Sequence, residues 1–551
     1  MRAMIDKLKA SIKEHKEKFE IMRNTQTSLE NFAQNTLFLT FAKFSKLIFI
    51  FFIISTSFFI YQHSTSLSWD FNSYVLNGRY WFANGSYFEL LRPPLMPLII
   101  SLFSFLGWRA AEFVFIILTS LSLMYSSIRL AKALTFNSTV FYAISLNLSL
   151  LNMGLVNGTE LLSLVFLELF ISLLIENNSL SGFFLAFSVL SRYTSLALLP
   201  LVFLHLSIKK IFKSLLAFGA TLSLWFFYNY YKSGNFFTSL ADQYANNILY
   251  RGYLMQPIQL AHFLQVQNVL IPFFALGVLL ALYTSFKYFI SSKKLKLSSL
   301  LGLVNKLKIE IIMFFLLFSS ISSYYIVPIK SVRYLFNLVL PTFYFSYIGI
   351  IFLIKKYKKF KERKQHEQVL LSVALIIFIL NLSLVLIQLP QQEYETPEMY
   401  HSAINSLNHL NLSTCSVMSN SWIILSYLER PSLPFPRFEL VNDSLAQGQI
   451  LVFFKHVPEP DYVKNGSFIQ SLPIITENKD YVIVGSPTCL PIAPFDDTYL
   501  QQVDGIIFNL QGYHINQNPC FILFHTSPFL ESACNFINLK GFKQDEYRAF
   551  Q

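Results

Sequence analysis

The sequence has few charged residues and no cysteine in its first 414 positions. Only 13% of its 551 residues are charged and 54% are hydrophobic, whereas roughly a quarter of the residues in soluble globular proteins are charged. This composition excludes an ordinary soluble protein. The apolar residues form runs of about 20, the length that crosses a hydrocarbon core, rather than amphipathic stripes. The sequence also lacks a CaaX box, a twin-arginine motif and a cleavable signal, so the first apolar run is predicted to be an anchor.

The apolar runs predict a polytopic α-helical membrane protein with about eleven transmembrane helices. The predicted spans are 44–61, 110–131, 136–153, 160–176, 181–191, 194–207, 214–230, 268–286, 309–326, 334–354 and 368–388. They divide the chain into a basic cytoplasmic N-terminal segment (1–43), a transmembrane module (44–388) with a first outer loop at 62–109, and an extracytoplasmic α/β domain (389–551).

Lysine and arginine are distributed unevenly between the two predicted sides. With the N-terminus in the cytoplasm, the inner segments hold 27 of the 43 Lys and Arg residues, while the outer loops and the tail after residue 388 hold eight each. This asymmetry follows the positive-inside rule and predicts a multi-pass protein of the cell membrane with its C-terminal domain outside. The net charge of +12 is therefore a matter of topology, and no nucleic-acid partner is expected.

The cysteines are confined to the predicted outer domain, at Cys415, Cys489, Cys520 and Cys534. An even number in an oxidising compartment predicts two disulfides. Three connectivities are open, and we favour Cys415–Cys489 with Cys520–Cys534. A zinc site is the alternative, but there is no CxxC and no nearby histidine pair to support it.

The first outer loop contains an acid that needs an explanation. An aromatic-rich stretch, Trp69–Phe82, precedes the apolar run Pro94–Leu106, which is too short to cross a membrane. Both stretches are predicted to be helices in the membrane interface. Asp70 is either the N-cap of the first helix or a functional carboxylate. Arg92 is either a lipid anchor or a phosphate ligand.

Three more charged residues begin helices or fill tight turns at the same predicted face: Glu160, Arg192 and Arg333. Each one alone is explained by the ordinary interfacial belt of Arg and Tyr. Together with Asp70 and Arg92, however, they form the set of acids and guanidinium groups that an enzyme acting on a lipid phosphate requires. Further candidates for substrate contacts are Tyr74, Glu89, Tyr193 and Tyr334. His63 is an alternative base, although a solvated loop histidine is the simpler interpretation.

Four segments resemble membrane glycosyltransferases of the GT-C class. They read WDFNSY…ELLRPPLMPLIISLF, NGTELLSLVFLELF, LSRYTSLALLP and VRYLFNLVLP, in this order along the chain. The resemblance is greatest to the dolichyl-phosphate-mannose protein mannosyltransferase-like group (glycosyltransferase family 39), which includes the aminoarabinose transferase of lipid A. The tail segment SNSWIILSYLERPSLPFP looks like the outer domain of prokaryotic members, archaeal ones among them.

The resemblance implies a polyprenyl- or dolichyl-phosphate sugar donor and inverting transfer to a glycan, lipid or protein acceptor at the outer face. It matches Asp70 with the family's general base, and Arg92, Arg192 and Arg333 with groups around the donor phosphate. Asp70 and Glu160 would hold a divalent metal, Mg or Mn, if one is used. A transporter, which would carry ionisable residues at the bilayer midplane, and a non-catalytic membrane scaffold remain the alternatives.

Overall fold

The structure is a computed structural model. It describes residues 46–85, 87–234, 236–244, 247, 256–291, 305–356, 363–388, 396–436, 438–457, 461–486, 488–489 and 491. The predicted N-terminal segment 1–43 and the predicted Cys520–Cys534 disulfide lie outside the described residues. The chain divides into two compact units, Met1–Ile54 and Ser55–Gln551. All side-chain contacts below lie within the second unit.

Seven helices of the described residues are long and apolar enough to cross a membrane. They are Lys46–Thr65, Trp108–Ala133, Ile208–Ser233, Leu260–Lys287, Lys308–Ile326, Val332–Lys356 and Gln368–Ile387. Each one overlaps a predicted span. Together with the sheet described below, they confirm the predicted class, a polytopic α-helical protein with a C-terminal α/β domain.

The number of spans is not confirmed, because the other four predicted spans are shorter than a crossing helix requires. They correspond to Ser138–Ser145 with Leu148–Met153, Glu160–Ile175, Ser181–Ser191, and the 3₁₀ segment Tyr193–Leu204. The first of these spans is interrupted because Asn147 caps a new helix, with its side chain accepting a hydrogen bond from the Leu150 N–H at 2.9 Å. Hydrophobicity alone does not reveal such a break.

Residues 62–109, the predicted first outer loop, contain the two predicted helices. They run over Trp69–Phe82 and Leu95–Leu102, and a 3₁₀ turn at Ser104–Leu106 leads into the next long helix. We call Trp69–Phe82 the Asp70 helix. A further helical segment of the membrane module is Thr238–Tyr244. Two of the long helices change character along their length: the first runs through Leu260–Gln267, Asn268–Leu270 and Ile271–Ser291, and the second through Val332–Leu338 and Val339–Lys356. The last long helix lies within Arg363–Gln388.

The C-terminal domain is built on a five-stranded sheet of order β2-β1-β3-β5-β4. The strands are β1 (Val417–Ser419), β2 (Ser432–Pro434), β3 (Ile450–Phe454), β4 (Ile474–Glu477) and β5 (Tyr481–Val484). β1 pairs in parallel with β2 and β3, whereas β5 pairs antiparallel with β3 and β4. β3 reads ILVFF and is buried throughout, as expected for a central strand covered on both faces.

Helices and one disulfide complete this domain. The helical segments are Pro397–His409, Trp422–Tyr427, Phe438–Leu440, Val441–Ala446, Asp461–Lys464 and Gly466–Gln470. Cys415 and Cys489 form a disulfide across 74 residues, which confirms the one favoured pairing that lies in the described residues. It ties the entrance of β1 to the segment that follows β5.

The C-terminal domain packs directly against the first outer loop. The ring of Trp422 lies 5.8 Å from that of Trp69 and 5.3 Å from that of Tyr87, both edge-on. Arg79 lies over the ring of Tyr427 at 5.1 Å and donates a hydrogen bond to its carbonyl oxygen at 2.9 Å. These aromatic and cation–π contacts fix the Asp70 helix against the sheet domain.

Candidate active site

Asp70 lies in the first turn of the Asp70 helix, and it is not the cap. The N-cap position is Ser68, which has extended backbone angles and makes no side-chain capping bond. The carboxylate of Asp70 is instead held by two guanidinium groups, from Arg92 and Arg333, and its side chain is 17% exposed. The interpretation of Asp70 as a helix cap is therefore wrong, because its oxygens bind arginines rather than the backbone of its own helix.

Arg333 connects two distant carboxylates. Its Nη1 donates to Asp70 Oδ2 and its Nε donates to Glu160 Oε1, although these partners lie 263 and 173 residues away along the chain. The residue sits at the start of the 3₁₀ segment Val332–Leu338, whose cap Ser331 accepts the Arg333 N–H with its side chain at 3.4 Å. The local cap thus fixes the backbone from which the guanidinium reaches both acids.

Arg92 forms a second bridge, between Asp70 and Glu89. Its Nη1 donates to Asp70 and its Nε to Glu89, three residues before it. The guanidinium also lies over the ring of Tyr74, with its central carbon 5.3 Å from the ring centroid. The buried amide of Asn77 donates to the Glu89 carbonyl at 2.9 Å and accepts the Glu89 N–H at 2.8 Å, which holds the loop before Arg92 against the Asp70 helix.

Arg192 completes the set but is less fully bonded. Its Nη1 lies 3.3 Å from Glu160 Oε1, and its Nη2 donates to the carbonyl oxygen of Arg333 at 3.1 Å. Nη1 makes no hydrogen bond of good geometry within the described part of the chain, although it is buried. A buried guanidinium N–H without such a bond has the capacity to bind a further acceptor.

We call Asp70, Glu89, Arg92, Glu160, Arg192 and Arg333 the arginine cluster. It contains three carboxylates and three guanidinium groups. Burial raises the pKa of Asp70, but the charges and hydrogen bonds of Arg333 and Arg92 outweigh it and hold that pKa well below its usual range. Burial lowers the pKa of Arg92, yet Glu89 and Asp70 raise it well above its ordinary value. Asp70 and Arg92 therefore stabilise each other in their charged forms. Arg192 differs, because burial and the charge of Arg333 lower its pKa despite the attraction of Glu160.

The predicted tyrosine contacts differ in their placement. Tyr74 lies against Arg92, and burial raises the pKa of its phenol. Tyr334 is half-buried beside Arg192 and Arg333 and interacts with both electrostatically. Tyr193 is buried, with its hydroxyl accepting a hydrogen bond from Trp225 Nε1 at 2.7 Å. Tyr74 and Tyr334 thus border the cluster, whereas the hydroxyl of Tyr193 is engaged elsewhere.

The residues proposed for a metal do not fit one in this arrangement. Asp70 and Glu160 are joined by the guanidinium of Arg333, so a cation already lies between their oxygens. In the described ranges, no group of three or more His, Cys, Asp or Glu side chains is placed to hold a metal ion. Mg or Mn remains a prediction from the sequence.

A second group of charged residues was not anticipated from the sequence. Glu112 is fully buried and accepts hydrogen bonds from Tyr427 at 2.8 Å and Arg109 at 3.0 Å, and its Oε2 lies 2.8 Å from His63 Nε2. His63 is therefore not a solvated loop histidine, and that interpretation is wrong. We call His63, Arg109, Glu112 and Tyr427 the docking cluster, because it joins the C-terminal domain to the membrane module. A carboxylate at the start of an apolar run was the signal in the sequence.

Comparison with known proteins gives a likeness in structure only. No family model matches the chain, and no curated protein matches it. Among solved structures, the chain is similar to ArnT from Cupriavidus metallidurans bound to undecaprenyl phosphate, with a TM-score of 0.47, 9% identity, and coverage of 82% of this chain and 98% of that one. The apo state of the same ArnT gives a TM-score of 0.45, 10% identity, and coverage of 82% and 97%. Both likenesses cover most of each chain at low sequence identity.

Proposed function

We propose that this chain is an inverting glycosyltransferase that moves a sugar from a polyprenyl- or dolichyl-phosphate donor to an acceptor at the extracytoplasmic face. The observation that carries the proposal is the convergence of Arg92, Arg192 and Arg333 around Asp70 and Glu160. The planar guanidinium group matches the geometry of a phosphate and remains charged when it is buried. Several such groups beside one carboxylate supply both a phosphate site and a base.

The guanidinium groups would bind the phosphate and stabilise it as it leaves. When the bond between the sugar C1 and the phosphate oxygen breaks, negative charge grows on that oxygen. Arg192 has a buried N–H without a hydrogen bond of good geometry in the described residues, and Arg333 is a quarter exposed on its side chain. Fixed donors of this kind, in a site that excludes water, stabilise a developing charge more strongly than water does.

Donor binding would also change the state of Asp70. A phosphate that recruits Arg92 and Arg333 competes with Asp70 for the same N–H groups. Because those two arginines hold the pKa of Asp70 low, their partial withdrawal raises that pKa towards its ordinary value. The carboxylate becomes a better proton acceptor when the donor is in place.

The reaction would be a single displacement. The acceptor oxygen or nitrogen attacks C1 from the face opposite the phosphate, and the C1–O bond breaks with its electron pair leaving on the phosphate. The proton of the acceptor passes to Asp70 as the new glycosidic bond forms. Attack from the opposite face inverts the configuration at C1.

The proposal is tested by sugar transfer in proteoliposomes that contain a radiolabelled polyprenyl-phosphate sugar. Asp70→Asn keeps the size of the side chain but removes the base, so we expect turnover to fall about 10²–10³-fold. Donor binding should be retained or tightened, because Arg92 and Arg333 lose a competing carboxylate. The matched control is Asp443→Asn, which changes an exposed carboxylate in the C-terminal domain. Near-normal transfer by Asp70→Asn would show that Asp70 is not the base. Passage of label across the membrane without a new glycosidic product would favour a transporter.

A further inference from the structure

A cavity of about 330 Å³ is lined by residues that neighbour members of the arginine cluster along the chain. Its wall includes Ser331 and Val332, the two residues that directly precede Arg333. It also includes Asn157, whose side-chain oxygen accepts a hydrogen bond at 3.3 Å from Ser68, two residues before Asp70. The cavity therefore shares one chain segment with Arg333 and another with Glu160, which lies three residues after Asn157. Its volume lies at the small end of the range for ligand pockets, about 300–1,000 Å³.

The lining of the cavity mixes apolar and polar surface and carries no charge directed at its interior. Lys330 is the charged residue of the wall, and its ammonium group donates to three backbone carbonyls, of Tyr324, Tyr325 and Val327, at 2.6–3.0 Å. An ammonium group has three N–H donors, so all of them are used. No carboxylate is found among the lining residues that the structure describes.

Several neutral groups of the wall retain hydrogen-bonding capacity. His262 holds Tyr324 Oη at 2.8 Å through Nδ1, and its Nε2 makes no hydrogen bond in the described part of the chain. The side-chain amide of Gln265 and the Nδ2 of Asn157 make none there either. Met153, Val156 and Val332 supply apolar surface between these groups. A pyranose or furanose ring, with hydroxyls at its edge and apolar C–H faces, fits such a mixture.

From this lining we infer that the cavity binds the glycosyl ring of a substrate, and that this ring is uncharged. The inference rests on the proposed function, because it takes the arginine cluster as the phosphate site beside which the ring lies. An amino sugar would bring an ammonium group to a wall that offers no carboxylate to pair with it, so its charge would gain no ion pair there. A neutral sugar requires none. The ring belongs either to the donor or to a glycan acceptor.

Binding measurements test the inference without depending on turnover. The probes are polyprenyl phosphate, the same lipid carrying a neutral hexose, the same lipid carrying an amino sugar, and a soluble neutral glycoside that represents the acceptor. In the native protein we expect the hexosyl lipid or the soluble glycoside to bind and the amino sugar to add no affinity. Tighter binding of the hexosyl lipid than of bare polyprenyl phosphate assigns the cavity to the sugar of the donor. Binding of the soluble glycoside, without any difference between the lipids, assigns it to the acceptor.

Gln265→Leu removes the amide at nearly constant volume, so we expect the affinity gained from the neutral ring to fall roughly 3–10-fold. Gln265→Glu places a carboxylate in the wall and should shift preference towards the amino sugar. The matched controls are Gln267→Leu and Gln267→Glu, in the same segment but away from the cavity wall, and they should change neither affinity. Equal binding of all lipids by the native protein together with no binding of the soluble glycoside, or equal losses in the Gln265 and Gln267 variants, would overturn the inference. If bare polyprenyl phosphate does not bind, the proposed function fails instead.

Discussion

The arginine cluster and the docking cluster are built from the same kinds of side chain but are bonded to different degrees. In the docking cluster, one fully buried carboxylate, Glu112, is matched by three donor residues and joins two parts of the chain. In the arginine cluster, the buried Arg192 keeps an N–H without a hydrogen bond of good geometry in the described residues. A carboxylate whose partners are all engaged is suited to holding a structure together. A cluster with a spare buried donor is suited to binding.

Among the substitutions that test this comparison, one at Arg333 is expected to have the largest effect on sugar transfer. Arg333→Lys keeps the positive charge but loses the planar guanidinium group, whose N–H groups reach Asp70 and Glu160 together. An ammonium group therefore does not replace the guanidinium group at this position. We expect kcat/KM for sugar transfer to fall about 10²–10³-fold, the usual effect of losing one fixed donor at a developing charge.

The control for this variant is Arg129→Lys, which changes an arginine in a half-exposed pair with Glu176. Surface pairs of that kind contribute about 0–1 kcal/mol, so transfer should be unaffected. A loss of activity that is equal in both variants would mean that Arg333 has no special role. Activity of Arg333→Lys close to native would remove it from the phosphate site.

Substitutions in the docking cluster should change the stability of the protein rather than its catalysis of sugar transfer. Glu112→Gln gives the same three donors an amide with one oxygen and an N–H₂ group, so at least one buried donor loses its acceptor. We expect a loss of about 1–3 kcal/mol in the free energy of unfolding and a donor KM close to native. Thermal unfolding in detergent, followed alongside the transfer assay, measures both quantities.

Tyr427→Phe is the milder variant of the same cluster, because it removes a single hydroxyl from the C-terminal domain. It should lower stability by about 1 kcal/mol. Glu176→Gln, at the surface pair with Arg129, serves as the control and should change stability little. A large change in kcat with unchanged stability would place the docking cluster in the catalytic machinery instead.

The pH dependence of transfer sharpens the idea that donor binding frees Asp70. In the free protein, Arg333 and Arg92 hold the pKa of Asp70 well below its usual range, so Asp70 loses its charge only as the pH falls to that depressed value. The acid limb of kcat/KM, which reports the free enzyme, should therefore lie below about pH 4, the ordinary pKa of Asp. Once the donor phosphate engages the arginines, the pKa rises.

The acid limb of kcat, which reports the donor complex, is consequently expected at a higher pH than that of kcat/KM. Rates measured from acid to neutral pH with limiting and with saturating donor give the two limbs. Coincident limbs would show that the arginines do not move from Asp70 to the phosphate. Asp443→Asn, which changes an exposed acid, should leave both limbs in place.

The sequence predicts the membrane helices well because apolar runs of sufficient length have few alternatives. Seven predicted spans correspond to long helices, whereas the segment that breaks at Asn147 and the 3₁₀ segment Tyr193–Leu204 do not. Pro200 lies inside that 3₁₀ segment, and it lacks the N–H that an α-helix would use. Helix capping by Asn147 and the position of Pro200 explain why these two segments do not form long α-helices. An average of hydrophobicity along the chain does not contain this information.

The arginine cluster was accessible from the sequence because acids and arginines are rare in apolar chains and each one needs a partner. The docking cluster was not, because its fourth member, Tyr427, lies 315 residues after Glu112 in a different domain. From the sequence alone, an aromatic residue in a short helix of such a domain is interpreted as part of that domain's own core, because the surface that it contacts in the membrane module is not known. The cavity was missed for a related reason, since neutral Asn, Gln and Ser residues carry no signal of their own in a sequence.

The smallest effect is expected from chelating divalent metals. Both carboxylates that would bind Mg or Mn are joined by Arg333, and carboxylates paired with a guanidinium are poor ligands until that pair is broken. Transfer in proteoliposomes treated with EDTA should therefore remain within about twofold of the untreated rate, whereas a site that used a metal to polarise the phosphate would lose several kcal/mol of transition-state stabilisation.

The informative contrast is Arg333→Met, which removes the guanidinium and leaves Asp70 and Glu160 free to share a cation. If added Mg or Mn restores part of the activity of Arg333→Met but has no effect on the native protein, the guanidinium takes the place that a metal would otherwise fill. If EDTA abolishes native transfer and Mg or Mn restores it, the carboxylates bind a metal in the working enzyme and the ion pairs described here are its resting arrangement.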